Sequence, residues 1–176
     1  MTWWTDSSID PVRKYRFRVR TLAPTGEEFY WYATTVERPS LDINVSEYQI
    51  TNHKFKFPGI ATWNDITLTH VDPGKKAMNT LKTMLVSHGW NFPATPFSNG
   101  DGFRKDPSDI GPRSFIIEMF DGKGNKIEEW KLHSAFIKSV NFGSLSYSED
   151  DLVEISMVIA YDFASLDVTM DSRTII

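Results

Sequence analysis

Between Leu152 and Tyr161 the sequence alternates with a period of two. Val153, Ile155, Met157, Ile159 and Tyr161 fall on one parity, and Leu152, Glu154, Ser156, Val158 and Ala160 on the other. Successive side chains of a strand point to opposite faces, so the pattern predicts a strand with one apolar face in a core and a mixed face that is only partly wet. Upstream, Trp130, Leu132, Ser134 and Phe136 alternate with Lys131, His133, Ala135 and Ile137. Between the two runs, Gly143-Ser144-Leu145-Ser146 and the acidic Glu149-Asp150-Asp151 supply turn chemistry. The stretch Trp130 to Val168 therefore reads as two long strands joined by a polar loop, the hairpin of an antiparallel sheet around which the rest of the chain is organised.

The same reading extends towards the N-terminus. After the punctuation at Asp10-Pro11, Tyr15-Arg16-Phe17-Arg18-Val19-Arg20 alternates strictly, which predicts Tyr15, Phe17 and Val19 in the core and the arginines exposed or paired. Pro24-Thr25-Gly26 marks a turn, and Glu28 to Val36, rich in aromatic and β-branched residues, predicts a second strand paired with the first. Leu41, Ile43 and Val45, then Tyr48 and Ile50, alternate on either side of Ser46-Glu47, and Lys54-Phe55-Lys56-Phe57 alternates again. This reads as a projecting hairpin ended by Pro58-Gly59. Trp63 to Val71 predicts another strand. Next comes a helix, with Asp72 as N-cap, Pro73 as its first residue, apolar positions Ala77, Met78, Leu81, Met84 and Leu85, and Gly89 at its end. Strands resume from Ser114 to Phe120 and, after the turn Asp121 to Asn125, run into Trp130. About eight strands and one helix give a mainly β class, an antiparallel sandwich or barrel with one flanking α-helix and a projecting β-hairpin.

A chain of 176 residues, 40% hydrophobic, can bury a good core in one domain. We expect a single domain over residues 1–176, with an arm at 1–10, a long loop at 90–112 dense in Pro, Gly, Asn and Asp, and a tail at 169–176. With no cysteine there is no disulfide, thiol chemistry or cysteine zinc site. No apolar run approaches the roughly 20 residues of a membrane span, and the N-terminus lacks the basic and apolar regions of a signal peptide, so a soluble protein made in a cytoplasm is expected, with no membrane partner. A formal net charge of −4 argues against a generic nucleic-acid binder.

Sites of chemistry are sparse. His53, His70, His88 and His133 are dispersed without ligand spacing, the serines lack a nucleophile motif, and Asp121-Gly122-Lys123-Gly124-Asn125 lacks the features of a phosphate or calcium loop. It reads as a hairpin turn. No cofactor, metal or catalytic residue is assigned, and the expectation is a protein that is not an enzyme.

Three segments carry a resemblance, and they cover about Asp10 to Val168: Asp10-Pro11-Val12-Arg13-Lys14-Tyr15-Arg16-Phe17-Arg18-Val19, then Gly59 to Leu68 before the helix, then the hydrophobic strand Val153 to Tyr161. In order and spacing they resemble the tail tube proteins of contractile-tailed bacteriophages. The resemblance implies a sandwich closed into a barrel with a flanking helix, six copies in a ring, and rings stacked into a hollow tube inside a contractile sheath. It further implies a virion tail component assembled in the host cytoplasm. Its partners would be further copies of itself, the tail sheath protein, and baseplate and tail-terminator proteins, with genomic DNA passing through the lumen without specific binding.

Alternatives stay open beside that role. One is the ring-forming tube protein of a type VI secretion or related contractile injection system, or a baseplate tube initiator. Another is a carbohydrate- or protein-binding sandwich with Trp3, Trp4, Trp31 and Trp90 as stacking platforms. For the hairpin Ser46 to Phe57 we expect contact with a neighbouring subunit or ring through Tyr48, Ile50, Lys54, Phe55, Lys56 and Phe57, because an isolated two-stranded ribbon is marginal in water.

Overall fold

Each alternating run folds as strand, but several runs bend partway and pass from one sheet to another. The computed structural model describes residues 11–22, 28–87, 90, 114–148 and 150–168. Among them are eleven strands instead of about eight: β1 Phe17–Leu22, β2 Glu28–Trp31, β3 Ala33–Val36, β4 Leu41–Ile50, β5 His53–Trp63, β6 Ile66–Val71, β7 Ser114–Phe120, β8 Lys126–His133, β9 Phe136–Asn141, β10 Glu154–Ala160 and β11 Phe163–Val168. The helix α1 spans Lys75–Ser87. Five strands form one sheet in the order β11-β8-β7-β1-β2, four form a second in the order β3-β6-β10-β9, and β4 and β5 pair with each other. All pairings are antiparallel.

The core lies between the larger sheets. Val19, Phe115, Ile117 and Leu132 come from one sheet, Ile66, Leu68, Ile155, Met157 and Ile159 from the other, and Ala77, Leu81, Met84 and Leu85 of α1 join the same cluster. Burying each large side chain is worth roughly 1.5–3 kcal/mol, so this cluster supplies most of the driving force for folding. The expected parity of β10 holds: Ile155, Met157 and Ile159 are buried and Glu154 is exposed.

Corners correct four expected strands. Glu28 to Val36 is interrupted at Tyr32, so β2 closes the edge of one sheet and β3 that of the other. Trp130 to Ile137 breaks at Ser134, which has φ 52°, a left-handed conformation uncommon outside glycine. The bend inverts the parity, since Leu132 points inward before it and Ala135 and Ile137 after it. The closing stretch therefore holds four strands in two sheets, of which β9 and β10 make the expected antiparallel pair. The Asp162 N–H donates to the His133 carbonyl at 3.1 Å, which ties the β10–β11 corner to the β8–β9 corner. Trp63 to Val71 likewise breaks at Asn64-Asp65.

Smaller corrections follow from local chemistry. Tyr15 is 74% exposed, because β1 starts only at Phe17. Asp72 does not cap the helix directly. Its Oδ1 accepts from the Gly74 N–H at 2.8 Å across Pro73, and Gly74, at φ +92°, carries the carbonyl that accepts the first helical bond, from Met78. The helix so begins at Lys75. The β1–β2 pairing and the Asp121 turn hold, the latter through N–H donations from Lys123 and Asn125 to Asp121 Oδ1, both at 2.8 Å. The arm at 1–10, the tail at 169–176, Gly89, His88 and nearly all of the 90–112 loop lie outside the described residues.

Candidate functional site

The β4–β5 ribbon stands apart from both sheets, with every residue of β4 exposed. It is longer than the sequence predicts, since β5 runs through Pro58-Gly59 to Trp63. The reason is a β-bulge. Ile43 pairs with Ala61 and Val45 with Pro58, leaving Gly59 and Ile60 opposite Asn44. A Cβ on Gly59 would lie 2.9 Å from the Asn44 carbonyl oxygen, and a bulge is one of the few places where a strand accepts proline. At the root, the Asn64 side chain donates to Asp42 Oδ2 at 2.8 Å and to Ser40 Oγ at 3.1 Å, and the Trp63 ring sits 6.1 Å from that of Tyr161.

Directly opposed residues of an antiparallel pair share a face, so the register sorts the ribbon's side chains. Towards the tip, Tyr48 faces Phe55 and Ser46 faces Phe57, and with Ile50 they make one face apolar; Glu47 opposite Lys56 and Gln49 opposite Lys54 make the other face polar. Towards the root the assignment reverses. Leu41, Ile43 and Val45 continue the polar face of the tip, while Asp42, Asn44 and Thr62 continue its apolar face. Lys54 and Lys56 lie 3.4 and 3.8 Å from the Glu47 carboxylate. The six residues expected from the sequence are thus together, all exposed, and outside the subunit's own core. At the turn, Thr51 takes φ 53°, an unusual conformation for a β-branched residue.

A second surface carries no periodic signal in the sequence. The segment after β9 leaves Leu145 85% and Leu152 74% exposed, together with Tyr147, and these line a cleft of about 850 Å³ beside Val71 and Glu154. The fold-back that gathers them is set at Gly143, whose φ is +79° and where a Cβ would lie 2.6 Å from the Glu154 carbonyl oxygen.

The outer sheet faces differ in charge. On the five-stranded sheet, Glu118 is 3% exposed and accepts from Arg18 Nε at 2.8 Å and Arg20 Nε at 3.3 Å. The Tyr30 hydroxyl donates to Glu28 at 2.6 Å and, with Arg20 and Arg18 nearby, holds the Glu28 carboxyl below its ordinary range. On the four-stranded sheet, the small residues Thr67, Thr69, Ser156, Val158 and Ala160 share their face with a single carboxylate of β10, Glu154. The arginines of the first strand are paired as expected. Trp31 is not a stacking platform: it is buried against Phe29, Phe115 and His70, and its indole N–H donates to Thr21 Oγ1 at 3.2 Å. Trp90 is exposed, and Trp3 and Trp4 lie outside the described residues.

No family model matches the chain, and no curated protein matches it in sequence. Solved structures do. A chain of the anti-feeding prophage baseplate aligns with TM-score 0.67 and 11% identity over 91% of this chain and 97% of that one. A chain of the anti-feeding prophage tube-terminating cap aligns with TM-score 0.64 and 20% identity over 96% of this chain and 100% of that one. A chain of the PVC sheath-tube complex, from an extracellular contractile injection system in its extended state, aligns with TM-score 0.63 and 16% identity over 96% and 99%. The mainly antiparallel β fold with one helix is therefore shared with chains of the anti-feeding prophage baseplate, its tube-terminating cap and the PVC sheath-tube complex.

Proposed function

We propose that the chain is a structural subunit of the tube of a contractile tail, a single tube domain that assembles six to a ring and stacks ring on ring. The observation that carries this reading is the β4–β5 ribbon, exposed along its length and apolar on opposite faces at tip and root. Such a ribbon is marginal alone, and a strand edge left open invites pairing with other chains. Neighbouring copies cover it in a ring or stack, and Tyr48, Ile50, Lys54, Phe55, Lys56 and Phe57 make that contact. The fold supports the reading, since it recurs in assemblies named for a tube cap and a sheath-tube complex.

In a phage tail this tube conducts DNA during ejection, inside a sheath and between baseplate and terminator. Its site of action is the virion tail, and it is assembled in the host cytoplasm. Six copies carry about −24 formal charges, and an acidic inner wall would let a phosphate backbone pass without sticking. A second reading, the tube of an injection system that delivers protein cargo, is favoured by the likeness to the anti-feeding prophage and PVC structures. Negative-stain imaging with sedimentation velocity tests the shared claim: rings or hollow tubes are expected, and a strictly monomeric profile at every concentration and salt contradicts it. Neighbouring capsid or terminase genes favour the phage tail, and secretion genes the injection system.

A further inference from the structure

The ribbon and the cleft after β9 occupy opposite ends of the four-stranded sheet. The ribbon is rooted where Ile66 pairs with Ile159, beside the Trp63–Tyr161 contact and the Lys138–Asp65 ion pair at 2.6 Å. The cleft opens where Val71 pairs with Glu154 at the other end of the same strands. We propose that the ribbon tip of one copy docks into the cleft of a second copy, Tyr48, Ile50, Phe55 and Phe57 against Leu145, Tyr147 and Leu152, with Lys54 and Lys56 meeting Asp150, Asp151 and Glu154. The inference rests on the assembly reading above and names the surface that receives the ribbon.

Chemical complementarity selects this occupant. The tip combines an apolar face with two lysines that are held only loosely by Glu47, at 3.4 and 3.8 Å, and remain 63% and 71% exposed. Among the cleft's exposed apolar side chains stand Asp151 and Glu154, with Asp150 adjacent in sequence, and none of the three is in an ion pair among the described residues. Because the apolar side chains and the lysines lie on opposite faces of the tip, a tip inserted in the cleft sets its apolar face on Leu145, Tyr147 and Leu152 and its lysine face towards the carboxylates, and that opposite charge steers encounter and fixes register. Because donor and acceptor lie at opposite ends of one subunit, the contact is head-to-tail. A contact of that type leaves a free donor and a free acceptor after every addition, so it propagates into a ring that closes or a stack that grows.

Charge reversal tests this on the full-length protein. Lys54→Glu with Lys56→Glu places like charges across the contact, and Asp150→Lys with Asp151→Lys does the same from the other side. Each pair should raise the concentration needed for assembly at least about tenfold, with the far-UV circular dichroism unchanged. All four substitutions in one chain restore opposite charges at every contact and should recover assembly towards wild type. Failure of the fourfold variant to recover, while wild type assembles, overturns this docking and leaves the tube reading standing; a wild type that never assembles overturns both. Cysteine pairing gives a second readout independent of charge. The chain has no cysteine, so Lys54→Cys with Asp151→Cys should yield a disulfide-linked ladder on mild oxidation of the assembled protein. Assembled protein that yields only monomer on the gel contradicts the docking.

Discussion

Gly143 lies against the backbone of Glu154 so closely that a Cβ on Gly143 would come within 2.6 Å of the Glu154 carbonyl oxygen. Its φ of +79° is itself costly for any residue with a side chain, and its N–H is held by Asn141 Oδ1 at 3.0 Å. Gly143→Ala must both strain the backbone and push apart the start of β10. We expect it to lower stability by about 1–3 kcal/mol, read as a lower urea midpoint with an unchanged slope. An unshifted midpoint contradicts this account of the segment after β9.

Glu118 joins two arginines of β1 from the neighbouring strand β7, with Arg18 Nη2 at 2.7 Å and its own side chain 4% exposed. Removing the carboxylate leaves Arg20, itself mostly covered, without its buried partner. Because Arg18 is nearly half exposed and finds water, the loss is smaller than for a fully buried pair. Glu118→Ala should cost about 1–3 kcal/mol. In a double-mutant cycle with Arg20→Ala, purely additive effects would rule out the coupling.

Acid should weaken the fold through carboxyls whose folded-state pKa is depressed. Hydrogen bonding by the Tyr30 hydroxyl lowers Glu28, and the Lys126 ammonium lowers Glu129, both from an ordinary 4.5; Asn125 lowers Asp121 from 3.8. A depressed carboxyl contributes stability in full above its unfolded pKa and loses it as pH falls through the folded value. The unfolding free energy should therefore be flat above pH about 5 and decline below about 4.5. Glu129→Gln should make that decline shallower, and denaturant titrations across this range measure both effects. An equal stability at pH about 3 and about 6 contradicts the assignment.

Much of this architecture is legible in the sequence wherever one strand face is fully buried. Ile155, Met157 and Ile159 repeat every second residue because each meets the facing sheet, and the β1–β2 and β7–β8 pairs follow from the same alternation and their turns. Corners are another matter. Tyr32 lies inside an aromatic, β-branched run that suits either sheet, and Ser134 bends the chain because two sheets need it there, a tertiary demand that local propensity does not carry. Pro58-Gly59 reads as a terminator by composition, yet the pair serves a bulge within a strand. Asp72-Pro73 is a sound helix start, displaced by the positive φ of Gly74. The ribbon tip was legible because the apolar phase changes between Val45 and Tyr48. The cleft was not, because Leu145, Tyr147 and Leu152 have no periodicity and become one surface only through the turn at Gly143.

Whether the ribbon tip serves contact between subunits can be read from one double variant. Phe55 and Phe57 are 49% and 55% exposed and lie outside the core cluster. Phe55→Ser with Phe57→Ser should therefore leave the thermal transition within a few degrees of wild type, while each contact loses roughly 1.5–3 kcal/mol per side chain. In circular dichroism melting and sedimentation velocity the variant should be a folded protein that no longer forms rings or tubes. A folded variant that still assembles as wild type does would contradict it, and so would one that loses its cooperative melting transition.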